Sequence, residues 1–310
     1  PVFRTKAIYH RRGAIYPATV VGKPRQEDYY LGEYLQDLLS PLFPLVMPGV
    51  VDLWSYGECG FHSLSAAIIK ERYQKESLSY VFRILGEGQL SLTKVLFAVS
   101  ARLDIKDFKK LLIHMLSRVV WETDLHIFSE TSMDSLDYTG PKILKGSKAA
   151  LVVTGDVIRQ LPKSVPNLTK IGSVEIKMGV YCQGCLVVQA YGYKQNDDLC
   201  KLVALKEELK SWPLIVIVDN INKALSSTTS FLWTTFTRLD PARDIYSSSS
   251  QNIDHKISHT GPIVFDVRMK PWYPKVLECD ESTSQKVTTR WNEYFPSKKI
   301  DMGNSSEAHL

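Results

Sequence analysis

Asp107-Phe108-Lys109-Lys110-Leu111-Leu112-Ile113-His114-Met115-Leu116-Ser117-Arg118-Val119 is the stretch whose reading decides the fold. Phe108, Leu111, Leu112, Met115, Leu116 and Val119 recur at helical spacing as one apolar stripe, with Lys109 and Lys110 on the wet side. Asp104 and Asp107 supply a cap and an acidic first turn. An amphipathic helix is predicted, and it must lay its stripe on another layer. Before it, residues 50–54, 64–69 and 95–99 read as strands and residues 76–85 as a helix, a βαβ-containing unit. After it the same order returns, with strands at 174–178 and 186–191, a helix near 199–209, a strand at 214–218 and a helix near 225–238.

The return keeps a nearly constant register. Arg118 and Arg238 stand 120 residues apart, as do Asp124 and Asp244, and Thr260-Gly261-Pro262 follows Thr139-Gly140-Pro141 by 121. Shared order and shared period predict a duplicated unit. Thr228 and Thr235 stand where the first copy has Phe108 and Met115, so a narrower buried face is predicted for the second helix. Residues 156–170, with Pro162 and Pro166, read as the connection between copies, and the serine runs 226–230 and 247–250 as loops or weak element ends.

Towards the start, residues 2–9 alternate and residues 14–21 are rich in β-formers, which predicts two strands. Pro24, Glu27 and Asp28 then open a helix carrying Leu31, Tyr34, Leu35, Leu38 and Leu42, bent or ended by Pro41. Pro1-Val2-Phe3-Arg4 offers neither an initiator Met nor a signal sequence, so the expectation is that a segment upstream has been removed. The tail after Ser297 is charged and small, and fraying is expected.

With 44% hydrophobic residues in 310, the chain can bury one large core or two modest ones. Its five cysteines are too irregular for a disulfide framework, which points to a reducing, cytoplasmic setting. No apolar run reaches the length of a membrane span. The net charge of +5 comes from basic and acidic residues interspersed, without a basic block flanked by aromatics. That disfavours nucleic acid and suits an anionic ligand.

Cys182-Gln183-Gly184-Cys185 has the spacing of a metal knuckle, but no second pair or nearby His completes it. His255 and His259 lack the Glu of a zinc-protease helix, and Pro262 follows closely, so a loop is expected. The run 140–148 places Lys142, Lys145 and Lys148 around Gly146; its Gly-Ser-Lys order and spacing depart from a P-loop. Phosphate holding and a solvated lysine loop both stay open for it. Glu27 stands where a Gly22-Lys23-Pro24 turn delivers the chain into a helix, and helix starts favour acids through the macrodipole.

The runs Tyr9-His10-Arg11-Arg12, Ile15-Tyr16-Pro17-Ala18-Thr19-Val20-Val21-Gly22-Lys23-Pro24 and Gln26-Glu27-Asp28-Tyr29-Tyr30-Leu31-Gly32 resemble the segment of UbiD-type decarboxylases that leaves the flavin domain. Leu136-Asp137-Tyr138, Gly146-Ser147-Lys148 and Asp240-Pro241-Ala242-Arg243-Asp244 resemble later segments of that family. The resemblance implies an α/β architecture in which residues 1–24 are the last strands of a split-barrel flavin domain and residues 25–47 a linking helix. Two similar layered α/β units follow at 48–165 and 166–275, then a C-terminal helix and tail at 276–310. It implies a carboxy-lyase acting on an aromatic acid, a quinone precursor such as a polyprenyl hydroxybenzoate or a naphthoate, with prenylated FMN and a divalent metal, manganese, as cofactors.

By the same implication Glu27 is the catalytic acid and Lys148 a contact to the flavin phosphate. The Asn, His and Glu metal ligands and the Arg partner are expected upstream of Pro1. Expected partners are the substrate, the N-terminal flavin domain and further copies of the chain; the expected location is cytoplasmic or membrane-peripheral. The sequence departs from shorter family members in its second unit, which holds the Asp-Pro-x-Arg-Asp turn where the first reads Trp121-Glu122-Thr123-Asp124. The longer branch associated with quinone biosynthesis is the one it resembles. The rival reading is a non-catalytic oligomerisation module; a phosphate-ligand enzyme using Lys142, Lys145 and Lys148 is more distant.

Overall fold

The computed structural model describes residues 2–14, 25, 27–275 and 280–296. Helix α1 (Glu27–Leu39) stops before Pro41, whose ring removes a donor. A 3-10 turn (Ser40–Leu42) and the short α2 (Phe43–Val46) complete the connection. Gln36 clamps α1 to a sheet edge: its Nε2 donates to Ser55 O at 3.0 Å, and Ser55 N donates to its Oε1 at 2.5 Å.

The first unit runs β1 (Val50–Ser55), β2 (Leu64–Ile69), α3 (Glu76–Ile84), β3 (Val95–Val99), α4 (Phe108–Leu116), α5 (Trp121–Asp124), β4 (Leu125–Ser132) and β5 (Lys145–Val153). Its sheet has the order β1-β2-β3-β5-β4, with β2, β3 and β5 parallel and the edge strands antiparallel. After a small hairpin, β6 (Lys170–Ile171) and β7 (Val174–Glu175), come β8 (Lys177–Cys182), β9 (Cys185–Gln189), α6 (Leu199–Leu205), β10 (Leu214–Val218), α7 (Ile221–Leu225), α8 (Thr228–Phe236), α9 (Pro241–Asp244), β11 (Ile245–Ile253) and β12 (Lys256–Asp266). Their order, β8-β9-β10-β12-β11, repeats the first sheet position by position and direction by direction. The duplication is therefore present in the topology. The repeated aspartates share one contact in both copies, reaching back across a one-turn helix: Val120 N donates to Asp124 Oδ2 at 2.9 Å, and Asp240 N to Asp244 Oδ2 at 2.7 Å.

Alternation along the strands divides the core into layers. Leu64, Ala66 and Ile68 of β2 face the same cluster as Leu214, Val216 and Val218 of β10, and α4 and α8 lie in it. Ala67 and Ile69 face the other way, onto Val81 and Ile84 of α3; Ile215 and Ile217 face Leu199 and Val203 of α6. The two sheets thus enclose α4 and α8, with α3 and α2 on the outer face of the first sheet and α6 on that of the second. Phe108 is the centre of the inner layer, with ring contacts to Tyr56, Phe97, Tyr181, Phe231 and Phe236 at centroid distances of 5.4 to 6.3 Å.

Three expectations need correction. Helix α8 is buried more widely than predicted, over Ser230, Phe231, Leu232, Thr234, Thr235 and Phe236, because a helix between two sheets has little free side. Ser247–Ser250 lie inside β11, an edge strand whose pairing with β12 overrides the weak local preference of serine. Residues 2–14 form no strand and are exposed, since a strand exists only against a neighbour to share its ladder. Most of the second predicted strand, 15–21, lies outside the described residues.

Among the described residues, 28–275 group as one compact unit, and 2–14, 25 and 27 with 280–296 as another. The latter includes α10 (Glu281–Tyr294). Asp280 caps α10 through Thr283 N at 2.9 Å, and its bonds to Ser282 and Thr283 hold its carboxyl down at about 2.

Candidate active site

Register brings three ionisable residues to the N-terminal edge of the parallel strands of the first sheet. Leu64, Val95 and Ala149 pair across β2, β3 and β5. Lys94 and Lys148 therefore stand one residue before this row, and His62 two before it. Main-chain bonds fix the approach: Lys94 N donates to His62 O at 2.8 Å and Ala149 N to Lys94 O at 2.9 Å.

His62 Nδ1 lies 2.6 Å from Asp134 Oδ2. Burial works against the Asp134 charge, but the Leu136 N–H and the His62 ring outweigh it and hold the carboxyl below its ordinary range. An ionised Asp134 fixes the imidazole with Nδ1 as donor and leaves Nε2 for a ligand. His62 and Thr93, with Asp28, Gln36, Ser55 and Gln89, are the polar lining groups of a cavity of about 550 Å³, whose other walls are apolar side chains such as Leu31, Leu35, Phe43 and Leu90.

Lys94 is buried and pairs with Asp137 Oδ2 at 2.6 Å. Asp137 also accepts from Thr139 N and Thr139 Oγ1, at 2.9 and 2.6 Å. Lys148, at 5% exposure, donates to Ser91 O and Thr93 O at 2.7 Å each. Burial pulls its ammonium down to about 8; Asp137 works in the opposite direction.

The Gly-Ser-Lys segment, a candidate phosphate loop by sequence, is the beginning of β5, with three structural roles. A Cβ on Gly146 would stand 2.3 Å from Met133 Sδ, so any larger residue there requires the Met133 side chain to move. Ser147 Oγ accepts from Ala242 N at 2.9 Å and is hydrogen-bonded to Asp240, tying β5 to the first turn of α9. Lys142 and Lys145 bracket a tight turn, and Lys145 pairs with Glu130 at 2.5 Å.

Glu27 is the first residue of α1 and is exposed. His62, Lys94 and Asp134 were not singled out by sequence reasoning, because their partners lie 43 to 72 residues away along the chain. The available signal was the Gly60 turn shortly before a largely apolar strand, followed by a polar Thr93-Lys94 pair before another. Cys182 and Cys185 face each other across the β8–β9 hairpin, and burial pushes the Cys185 thiol far up. His259 lies within β12, contrary to the loop expected, with Nδ1 3.2 Å from Ser247 Oγ. Among the described residues no group of three His, Cys, Asp or Glu could hold a metal ion.

The second copy lacks these ionisable residues. Leu214 pairs with Cys185 and Ile263 just as Val95 pairs with Leu64 and Ala149. Gln183, Pro213 and Pro262 therefore occupy the places of His62, Lys94 and Lys148.

Residues 29–153, in the first unit, match the family model described as 3-octaprenyl-4-hydroxybenzoate carboxy-lyase C-terminal domain. A protein of Chlamydia caviae is 54% identical over 301 residues, covering 96% of this chain and 50% of the relative. A 4-hydroxybenzoate decarboxylase component of Chlamydia pneumoniae is 50% identical over 299 residues, again 96% of this chain and 50% of the relative. The chain thus spans about half the length of these curated relatives. A vanillic acid decarboxylase from Sedimentibacter hydroxybenzoicus, in its open form, is 20% identical over 48% of this chain and 31% of its own, with a TM-score of 0.38, too loose a superposition to add to the family match. The match over one complete α/β unit, with relatives aligned along 96% of the chain, supports a UbiD-type C-terminal portion: residues 29–153 are similar to the 3-octaprenyl-4-hydroxybenzoate carboxy-lyase C-terminal domain.

Proposed function

We propose that this chain is the substrate-orienting part of an aromatic-acid carboxy-lyase, with its chemistry assigned to the first α/β unit. The observation that carries the reading is the His62–Asp134 pair at the wall of a largely apolar cavity. An apolar cavity with few polar groups accepts a ring and fixes its orientation through them. His62, held by Asp134, is assigned to a phenolic or carboxyl oxygen of the substrate. The buried Lys94–Asp137 pair ties the start of β3 to the segment that precedes β5.

In a decarboxylation the carbon–carboxyl bond breaks, carbon dioxide leaves, and the ring carbon takes a proton in its place. The resemblance assigns that proton to Glu27. A general acid must lie within hydrogen-bond reach of the atom it protonates. Prenylated FMN, when bound, would supply the electron sink for the departing carbon dioxide. The described residues offer no metal-ligand group, and Lys148 is committed to two carbonyl oxygens. Neither cofactor is therefore assigned to side chains of this chain, and no step is routed through them.

The substrate class within the reading is a hydroxybenzoate or naphthoate acid of quinone synthesis. An assembly role is the second reading, and α1 and α2 favour it, since Tyr30, Tyr34 and Leu38 of α1 and Leu45 of α2 are exposed. Release of labelled carbon dioxide from 4-hydroxybenzoate and from a naphthoate by the full-length protein, supplied with prenylated FMN, decides between them. Glu27→Gln keeps the shape and loses the acidic proton, so turnover should fall by about 10² to 10⁴ with flavin binding unchanged. Full activity in that variant removes Glu27 from the chemistry; no turnover of either acid by the wild type leaves the assembly role.

A further inference from the structure

Lys148 is a buried cation that the chemistry above does not use. Its ammonium has taken two main-chain oxygens, Ser91 O and Thr93 O, across 55 or more residues of sequence, and no carboxylate pairs with it among the described residues. A charge in such a place is costly to desolvate, and an apolar residue of similar length would fill the space more cheaply. What the ammonium does there is local. It fastens the 3-10 turn Gly88–Leu92 and Thr93 to β5. That turn supplies Gln89 and Leu90 to the cavity wall, Thr93 lines the cavity itself, and Lys94 follows directly. Thr93 is in turn 3.2 Å from Ser65 Oγ, which is 2.7 Å from Ser55 Oγ on the edge strand held by α1.

We propose that Lys148 is a positioning residue: by holding the carbonyls of Ser91 and Thr93 it sets the wall of the substrate cavity and the place of Lys94, and it does not touch substrate or cofactor. This rests on the carboxy-lyase reading for its link to turnover, but its structural half is measurable without turnover. The second copy agrees with it. Pro262 stands at the matching place in β12, and Pro213 at that of Lys94, so neither the ammonium anchor nor the cation that it places is present there.

The test uses full-length protein carrying Lys148→Met, which keeps the stem and removes the donors. Hydrogen exchange of amides 90–95 is read beside that of β10, together with the KM for 4-hydroxybenzoate and the affinity for FMN. Two hydrogen bonds from a charged donor are lost, so exchange at 90–95 should speed by about tenfold or more while β10 stays protected. KM should rise by a similar factor, with FMN affinity unchanged. Lower FMN affinity with intact protection at 90–95 overturns the proposal and makes Lys148 a phosphate ligand. Protection lost throughout the first sheet overturns it too, since the role is then general stability. If the Met variant does not fold, Lys148→Arg decides. Retained protection and KM support the proposal, and a raised KM with intact protection contradicts it. A wild-type protein that decarboxylates nothing sinks the carboxy-lyase reading alone, because the exchange arms still report on Lys148.

Discussion

Lys148 shows what one buried lysine costs and when. Its ammonium is pulled from the ordinary lysine range down to about 8 by burial. Below that pH both folded and unfolded chains hold the proton, and the folded state bears the full cost of the buried charge. Between about 8 and the unfolded lysine value, about 10.4, the unfolded chain binds more protons, so this group's contribution to stability rises with pH. Urea midpoints of wild type and Lys148→Met, compared from pH 7 to pH 10, should therefore shift in favour of the wild type as the pH rises. A constant difference would show that Lys148 is not depressed. None of this was legible in the sequence, where Gly146-Ser147-Lys148 reads as an exposed or phosphate-holding loop. The assignment to a buried strand comes from β3 and β4 on either side of β5, and such non-local pairing leaves no trace in a nine-residue window.

Among the elements, α4 was the most legible, because stripe, cap and wet face agree: Asp107 accepts from Lys110 N at 3.1 Å, and Phe108, Leu111, Leu112, Met115 and Leu116 are buried. Helix α8 was legible in position but not in environment. Its threonines suggested a partly wet face, whereas Thr234 Oγ1 and Thr235 Oγ1 are buried without a partner among the described residues. Phe108 touches rings from both sheets and from α8, so truncating it opens a void that neither sheet can close alone. Phe108→Ala should cost about 3 to 5 kcal/mol in a urea titration, at the level of a fully buried aromatic. A loss below about 1 kcal/mol would mean that the inner layer is not shared. The hairpins β4–β5 and β11–β12 escaped the periodicity reading, since the first carries a lysine in an apolar run and the second has four serines in the middle of its first strand.

Across the molecule, duplication supplied a second copy of the architecture without a second copy of the site. The period of 120 residues was visible in the sequence and holds in strand order and direction, but Thr260-Gly261-Pro262 lies inside β12 whereas Thr139-Gly140-Pro141 precedes β5, so that match is not a structural equivalence. Which copy carries the ionisable residues was not visible, because it depends on register between strands far apart in the chain. Pro213 and Pro262 supply no side-chain donor where Lys94 and Lys148 supply cations, and the second unit instead covers the inner face of the first. The division of labour proposed above is one unit for chemistry and one for support. Its most direct test is the decarboxylation rate of the full-length protein in two variants at equivalent places, His62→Gln and Gln183→Ala, each checked for an unchanged fold. His62→Gln is expected to lower turnover by about 10² or more, as for loss of a group that acts on the reacting substrate, and Gln183→Ala to leave it near the wild-type rate. Wild-type turnover with Gln at position 62, or a crippled Gln183→Ala enzyme, would contradict the assignment of the site to the first unit.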